Sequence, residues 1–351
     1  MMLMKNVPLL IVLLIISAVA VTACVSQEAP STNQSSLPSS SQGAPETVRV
    51  AYMPIISFGP LYIAQEEGYF AQQGINVEFE KFQSAPASLP ALVNGDIAVA
   101  GGQVSLALVN AILKGANVRI VADKGRATSG SCDTNGIMVR RELFDNGIIT
   151  NVSDLKGRKI MFTSEQSYLV SLLLEKGNLT PDDVEIVNMD FASAVVALRN
   201  GAIDACDLTE PFITQVNNSR SGVMLIPTHE YCPDWPLPLY YGPAILDKDP
   251  DLGRRFMVAY LQGVQQYNQG KSERNIMILQ NYTRLDRDLL EQSCWMPVAD
   301  NGLLPQKPVR DYVDWLYANK KISQNPSDDQ LFDTSYVDYA NGILANTTTS
   351  G

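Results

Sequence analysis

Hydrophobic and polar positions alternate along the chain in blocks that predict strands and helices in a regular order. The stretch 48–53, VRVAYM, is typical of a buried strand, and 75–82, INVEFEKF, alternates apolar and polar residues like a half-buried strand. Between them, Pro60 stands where the first turn of a helix accepts proline. A helix over 86–93 and a strand over 96–101 follow, so the first unit has the order βαβαβ.

The same order returns about a hundred residues later. A strand over 157–162 is followed by a helix over 165–176, a second strand over 184–189 and a second helix over 191–200. The segments LVNGDIAVAG and LRNGAIDACD match most closely, because in both a Leu-x-Asn-Gly sequence ends a helix and leads into a strand. The pattern predicts two similar α/β units with short connections.

Two apolar segments are predicted to cross between these units. Residues 135–143 leave the first unit and residues 237–246 follow the second, so the chain returns to the first unit at its end. We therefore expect a first lobe over 47–134, a second lobe over 135–236, and a helical return to the first lobe over 237–345. The helices of that return have apolar residues at helical spacing over 251–270, 272–283, 287–294 and 309–321.

The N-terminus indicates export. One lysine precedes an apolar run that ends in Val-Thr-Ala-Cys, which resembles the lipobox of prokaryotic lipoproteins. We expect a signal peptide over 1–23, lipidation of Cys24, and a disordered tether over 24–46, which is rich in Ser, Pro and Gln. The alternative is an N-terminal membrane helix, since the run approaches the lower limit for spanning.

Composition supports two cores and argues against nucleic acid. Hydrophobic residues make up 46% of the 351 positions, and the formal charge is −11. The densest basic spots are pairs, whereas a nucleic-acid surface needs a stripe that neutralises several phosphates. We expect no nucleic-acid partner. We also expect no metal and no cofactor, because no metal-ligand spacing and no phosphate-binding loop is present.

Four cysteines remain after the expected lipidation site. In an exported protein they predict two disulfides, and the three possible pairings stay open. Unpaired buried thiols are the alternative. The residues are Cys132, Cys206, Cys232 and Cys294.

Four segments resemble a known family. They are GPLYIAQEEGYFAQQGINVEF, LPALVNGDIAVAGG, DLKGRKIMF and LRNGAIDACDLTEPF. They are similar to the type II solute-binding proteins of ABC importers, in the NMT1/THI5-like group, whose members bind nitrate, bicarbonate, alkanesulfonates, taurine or thiamine-pyrimidine precursors.

The resemblance implies a fold, a function and partners. The fold is α/β: a two-lobed type II periplasmic-binding-protein fold, in which each lobe is a mostly parallel sheet flanked by helices and two hinge crossings join the lobes. The function is capture of a small-molecule solute between the lobes for an ABC permease and its ATPase. The protein is expected to be a monomer, held by its lipid on the extracytoplasmic face of the membrane, either in a periplasm or at the cell surface.

The ligand site is predicted from the sheets themselves. In open α/β sheets, ligands bind beyond the carboxyl ends of the strands, beside helix N-termini whose free N–H groups favour anions and polar oxygens. The resemblance implies the same regions, although each residue could equally serve a turn or cap a helix, as Ser164 and Ser167 could. The candidates are Ser57, Phe58, Gly59, Tyr62, Gly102 and Gln103 in the first lobe, and Thr163, Ser164, Gln166, Ser167, Asp207 and Glu210 in the second.

The charged residues near the predicted site bear on the charge of the ligand. A bare anion would need a cation in the cleft, and we expect the nearest candidates, Lys124 and Arg126, to lie at a solvated surface. Carboxylates such as Asp207 and Glu210, with aromatic rings such as Tyr168, favour an amine-bearing ligand: an aminopyrimidine or a zwitterion such as taurine. Both carboxylates could instead serve the hinge or pair with a base of the first lobe.

Two rival functions are considered. Part of the resembling group synthesises a pyrimidine phosphate with a histidine and a Cys-rich motif; the motif is absent here, and His229 is the only histidine. We therefore expect a binding protein rather than an enzyme. A ligand-loaded sensor for a membrane receptor is the other alternative, which the sequence does not separate from transport.

Overall fold

The computed structural model describes residues 44–129, 132–162 and 167–348. The expected signal peptide, the lipidation site Cys24 and nearly all of the expected tether lie outside these residues. Within the described part of the chain, no helix is both long and apolar enough to cross a membrane.

Ten strands form two mixed sheets in the described residues. The first sheet has the order β2-β1-β3-β10-β4 and the second β7-β6-β8-β5-β9. In each sheet, the first three strands in this order are parallel, and the fourth is antiparallel to the third. The strands are β1 Glu46–Tyr52, β2 Ile75–Lys81, β3 Val99–Gly101, β4 Arg119–Ala127, β5 Asn135–Arg140, β6 Lys159–Phe162, β7 Glu185–Asn188, β8 Ala205–Thr209, β9 Gly222–Pro227 and β10 Trp235–Tyr241.

Helices flank both sheets and make up most of the chain after β10. They are α1 Gly59–Glu66, α2 Tyr69–Gln72, α3 Ala85–Asn94, α4 Leu106–Leu113, α5 Arg141–Asp145, α6 Ser167–Lys176, α7 Phe191–Arg199, α8 Phe212–Asn218, α9 Thr228–Tyr231, α10 Pro243–Leu246, α11 Pro250–Tyr267, α12 Glu273–Thr283, α13 Arg287–Gln292, α14 Gln306–Ala318, α15 Asp328–Leu331 and α16 Ser335–Thr348. The predicted α/β architecture with two lobes is confirmed.

The opening unit forms as its residue pattern predicts. Pro60 lies in the first turn of α1, and Gly68, just after that helix, adopts the left-handed φ of 72°. In β2 the buried residues alternate with exposed ones, so one face of the strand packs on the core.

The crossings differ from their predicted form. Residues 135–143 are extended only as far as Arg140, and α5 begins at Arg141. Residues 237–246 are extended as far as Tyr241, and α10 begins at Pro243. The chain passes between the sheets twice, from β4 to β5 and from β9 to β10. The lobe boundaries at 134 and 236 therefore stay predictions.

The expectation of two disulfides is wrong. Cys132 and Cys294 are bonded, whereas Cys206 and Cys232 are buried free thiols. Cys206 lies in β8, inside the core of the second lobe, so its side chain serves as a small apolar group there.

Helix α11 packs closely on α1, and Gly263 permits this approach. A Cβ at Gly263 would lie 2.2 Å from the carbonyl oxygen of Pro60. We expect Gly263→Ala to destabilise the fold by about 1–3 kcal/mol, because the helices must separate. The matched control is Gly342→Ala in α16, because a Cβ there meets nothing within 4 Å and alanine should stabilise the helix. Chemical denaturation of the two variants measures both effects. Equal effects of the two substitutions would contradict the packing argument.

Candidate functional site

The carboxyl ends of three strands meet at one edge of the first sheet. Strands β1 and β3 are parallel, and β4 runs the same way because β10 is antiparallel to both β3 and β4. Ser57 and Phe58 follow β1, Gly102 follows β3, and Lys124 lies near the end of β4. The predicted loops of the first lobe are therefore neighbours, and Lys124 joins them.

Lys124 is buried at this edge, with only 1% of its surface exposed. Its Nζ donates hydrogen bonds to Ser57 Oγ at 3.1 Å and to the Ser57 carbonyl oxygen at 3.3 Å, and it lies 4.2 Å from the centre of the Phe58 ring. Among the described residues, no carboxylate lies within 4.0 Å of Nζ. The prediction that Lys124 lies at a solvated surface is wrong.

A glycine makes room for the lysine side chain. A Cβ on Gly101 would lie 2.9 Å from Lys124 Cδ and 3.0 Å from Cε, so the aliphatic part of the lysine passes directly over the glycine. Burial lowers the pKa of Lys124 to about 7, and the charge of Asp123 partly opposes this shift. The ammonium is thus held in a place that disfavours its charge.

Asp123 does not neutralise Lys124 by contact, because the two side chains leave the strand on opposite faces. The Asp123 carboxylate is fully buried and accepts hydrogen bonds from the N–H groups of Gly125, at 2.9 Å, and Ala299, at 2.8 Å. Burial raises its pKa. Arg126 is partly exposed, with loose contacts of 3.9 and 4.0 Å to Asp123 and Asp234, so the expected surface position fits this residue better than Lys124.

Tyr62 and Gly59 lie in the core of the first lobe. The Tyr62 hydroxyl donates to the Met53 carbonyl oxygen at 2.6 Å, and its ring stacks on Tyr282 with centroids 4.6 Å apart. A Cβ on Gly59 would collide with the ring of Tyr267. The structure brings Ser57 and Phe58 to Lys124, and the Tyr62 ring stacks on Phe58 with centroids 6.5 Å apart. The predicted ligand contacts of Gly59 and Tyr62 remain predictions.

Gly102 and Gln103 continue the same edge. Gly102 has a φ of 154°, and its carbonyl oxygen accepts a hydrogen bond from the buried Tyr240 hydroxyl at 2.8 Å. Gln103 lines a cavity of about 10 Å³ with Ser88 and Ser105, which is too small for a solute. Their predicted contact with ligand remains a prediction.

The second lobe supplies fewer described candidates. Thr163, Ser164 and Gln166 lie outside the described residues, and Ser167 begins α6. Asp207 is buried in β8, opposite Ile137 of β5.

Glu210 follows β8 and reaches the first lobe. The residue is 7% exposed, and its carboxylate accepts hydrogen bonds from Thr214 N at 3.1 Å, Thr214 Oγ1 at 2.8 Å and Cys294 N at 3.0 Å. Burial raises its pKa, and these hydrogen bonds act against that shift. Glu210 therefore lies between the lobes, as the alternative of a hinge role requires.

Aromatic rings make a second contact between the lobes. Tyr168, at the start of α6, packs against Trp235 of β10 and against Tyr312 and Trp315 of α14, with ring centroids 5.4–5.8 Å apart. Burial raises the pKa of Tyr168 to about 12, so its hydroxyl is neutral at physiological pH. The contact of Tyr168 with Trp235 thus places rings where the lobes meet.

A family model decides the relationship of this chain to known proteins. The model described as NMT1/THI5 like matches residues 55–270. The chain belongs to this family. The matched range includes the strands from β2 to β10, Lys124 and Glu210, whereas β1 lies before it.

Curated relatives of this chain include solute-binding proteins. The chain is 26% identical over 214 residues to the bicarbonate-binding protein CmpA of Synechococcus elongatus, a match that covers 54% of this chain and 47% of CmpA. The chain thus spans about half the length of that relative.

Two structures share the fold. The nitrate-binding protein NrtA of Synechocystis PCC 6803 has a TM-score of 0.70 and 18% identity, covering 85% of this chain and 89% of NrtA. The alkanesulfonate-binding protein SsuA of Xanthomonas axonopodis pv. citri, bound to MOPS, has a TM-score of 0.66 and 20% identity, covering 81% and 96%. The expected type II periplasmic-binding-protein fold is confirmed.

Two features of this NMT1/THI5-like chain differ from what its sequence predicts. Lys124, named as a candidate cation but expected at the surface, is buried in β4 beside Ser57 and Gly101, and the apolar residues that precede it in the strand are the signal for burial. The segment around Cys294 has no such signal, because its contacts with Glu210 and Asp123 join residues far apart in sequence.

Proposed function

We propose that this chain is the solute-binding component of an ABC importer and that its solute carries a small anionic group, of the sulfonate, nitrate or bicarbonate type. The observation that carries the proposal is the buried Lys124 ammonium. Its three N–H donors face Ser57 and the Phe58 ring without a carboxylate partner among the described residues. An anionic oxygen on Nζ would complete its hydrogen bonds and compensate its charge.

The same geometry weighs against a simple amine. A cationic ligand group next to Lys124 would repel it, and the Glu210 carboxylate already accepts three hydrogen bonds from the protein. Taurine stays within the proposal because its sulfonate can face Lys124. An aminopyrimidine is disfavoured, since it has no negative charge to offer. The anions in the names of CmpA, NrtA and SsuA support this order.

Capture is proposed to occur by closure of the lobes. A ligand favours the closed form only by its higher affinity for that form, which requires contacts from both lobes. Lys124 contributes from the first lobe, and the start of α6 is proposed to contribute N–H groups from the second. We further propose that lipid on Cys24 holds the protein at the extracytoplasmic membrane surface, beside a permease and its ATPase.

Binding rather than catalysis is the proposed activity. The single histidine, His229, lies on α9 at the second crossing, with Nδ1 3.5 Å from Asp133 of the first crossing. That pair joins two connecting segments, and neither residue contacts Lys124 in the described hydrogen bonds. The relatives reported above are also binding proteins, which supports the same conclusion.

A thermal-shift screen tests this function. The chain with Cys24→Ser, which prevents lipidation, is heated with taurine, alkanesulfonates, nitrate, bicarbonate, aminopyrimidines and amino acids. We expect at least one anion to stabilise the fold, by about 2.7 kcal/mol at 100 times its dissociation constant. X-ray scattering with that anion should show a more compact protein. Stabilisation by an aminopyrimidine alone would contradict the anion proposal.

A further inference from the structure

We propose that residues 293–299, the bridging loop, couple closure of the lobes to the position of Lys124, with Glu210 as the positioning residue on the second lobe. The proposal rests on the proposed function, because it concerns regulation of the same anion site. Its evidence is a set of contacts that fasten this one loop to three separate parts of the molecule.

The first attachment is to the second lobe. Glu210 accepts the N–H of Cys294 at 3.0 Å in a buried environment. Beside it, Asn218 at the end of α8 donates to Gln292, the residue that ends α13, at 2.8 Å. Opening of the lobes would remove the Cys294 donor from a buried carboxylate, which is costly unless water replaces it.

The second attachment is covalent. Cys294 is bonded to Cys132, which lies in the crossing between β4 and β5, and the two residues are 162 positions apart in sequence. The chain passes from the first sheet to the second there, so Cys132 shifts with any movement of one lobe against the other. A movement of this crossing is therefore transmitted directly to the bridging loop.

The third attachment is to the residues on either side of Lys124. Ala299 donates its N–H to Asp123, and Met296 packs against Gly125 so closely that a Cβ there would lie 2.6 Å from its sulfur atom. Gly125 has a φ of 138°, which favours glycine. Just beyond the loop, the Gly302 carbonyl oxygen accepts the N–H of Asp123 at 2.8 Å.

These attachments give the loop a direct effect on the anion site. The backbone at 123 and 125 sets the position of the Lys124 side chain, and the loop contacts both residues on β4, which is an edge strand. When Glu210 holds the loop, Lys124 is buried and placed for an anion. When the loop is released, the end of β4 loosens and water reaches the ammonium. The affinity for the anion then falls, because water competes for the same N–H donors.

Replacement of Glu210 tests this coupling. In the Cys24→Ser chain, we expect Glu210→Ala to weaken anion binding at least about tenfold by calorimetry. The matched control is Asp190→Ala, since Asp190 also accepts hydrogen bonds at a helix start, from Ser193 N and Oγ on α7, but lies away from the bridging loop. We expect the control to bind the anion like the parent. Equal weakening in both variants, or none in either, would overturn the proposal.

The pH dependence of binding separates positioning from simple loss of stability. Burial beneath Phe58 and beside Gly101 lowers the pKa of Lys124, and the charge of Asp123 partly opposes this shift. If Glu210→Ala lets water reach Lys124, the pH at which anion affinity begins to fall should move upward by about one unit, while Asp190→Ala leaves it in place. An unchanged midpoint in Glu210→Ala would overturn the coupling.

A second variant covers the case in which Glu210→Ala does not fold. Cys132→Ala combined with Cys294→Ala removes the disulfide but keeps the backbone N–H at position 294 that Glu210 accepts. We expect this variant to weaken anion binding several-fold. Hydrogen exchange gives a readout that needs no ligand: the amides of Gly125 and Ala299 should exchange faster in both loop variants than in Asp190→Ala. If these amides exchange faster but no anion binds the parent, the proposed function is wrong and the coupling stands. If their exchange is unchanged, the coupling itself is wrong.

Discussion

Replacing Lys124 with methionine is expected to weaken anion binding at least about 30-fold and, at the same time, to stabilise the free protein. The ammonium is fully buried and has no carboxylate partner within 4.0 Å among the described residues, so its charge destabilises the ligand-free fold. Replacing a buried ion pair with apolar groups of similar volume is often neutral or stabilises by about 1–4 kcal/mol, and a buried charge without an ionic partner has less to compensate its lost hydration. Removing the partner of a buried anion costs about 2–5 kcal/mol of binding, or at least about 30-fold in Kd.

Calorimetry of anion binding and thermal unfolding of the free protein check both halves of this prediction. The matched control is Lys248→Met, because Lys248 is an exposed lysine in the loop between α10 and α11. Lys248→Met changes the net charge of the protein by the same amount. We expect its free energies of anion binding and of unfolding to stay within about 0.5 kcal/mol of the parent. Parent-like anion affinity in Lys124→Met would remove the lysine from the site, and a loss of stability would show that its charge is compensated.

Anion affinity is expected to fall as the pH rises above about 7. Burial lowers the pKa of Lys124 to about 7, so below this pH the ammonium is charged and anion affinity is constant. Above it, the free protein loses the proton that the anion needs, and Kd should rise about tenfold per pH unit until the pKa of the complex is reached. Nitrate or methanesulfonate suits this titration, because neither changes its own charge in this range.

The stability of the ligand-free protein should follow the opposite course. A lysine whose pKa is lowered on folding releases its proton more readily in the folded state, so the unfolded state binds more protons between about pH 7 and the ordinary lysine pKa. The stability cost of Lys124 is therefore largest below pH 7 and is relieved as the pH rises. In Lys124→Met, we expect neither the fall in anion affinity above about pH 7 nor the rise in stability with pH. The same pH dependence in parent and variant would assign it to another group.

Much of the fold is predictable from local patterns. The two βαβαβ units show in the strand and helix periodicities, and glycines such as Gly68 and Gly74 mark turns that need a left-handed φ. Because parallel strands end at one edge of a sheet, Ser57 and Gly102 are correctly placed on the same side of the first lobe. These inferences need only short-range chemistry and a general rule about sheets.

The errors come from contacts between distant parts of the chain. The strand β4 is at the edge of its sheet, where a lysine would ordinarily reach solvent, but residues of the C-terminal return cover it and Gly101 makes space for the side chain. The Cys132–Cys294 disulfide likewise spans 162 positions, and no spacing rule favours that pairing. Glu210 looks like a ligand group in sequence, yet its hydrogen bonds are supplied by Thr214 and Cys294.

The crystal structure of the complex with the most stabilising anion of the panel is the most direct measurement. The proposed function predicts an anionic oxygen about 2.7–2.9 Å from Lys124 Nζ, with the ligand between the first lobe and the start of α6. A ligand bound elsewhere, with Lys124 still bonded only to Ser57 and covered by Phe58, would contradict the central claim.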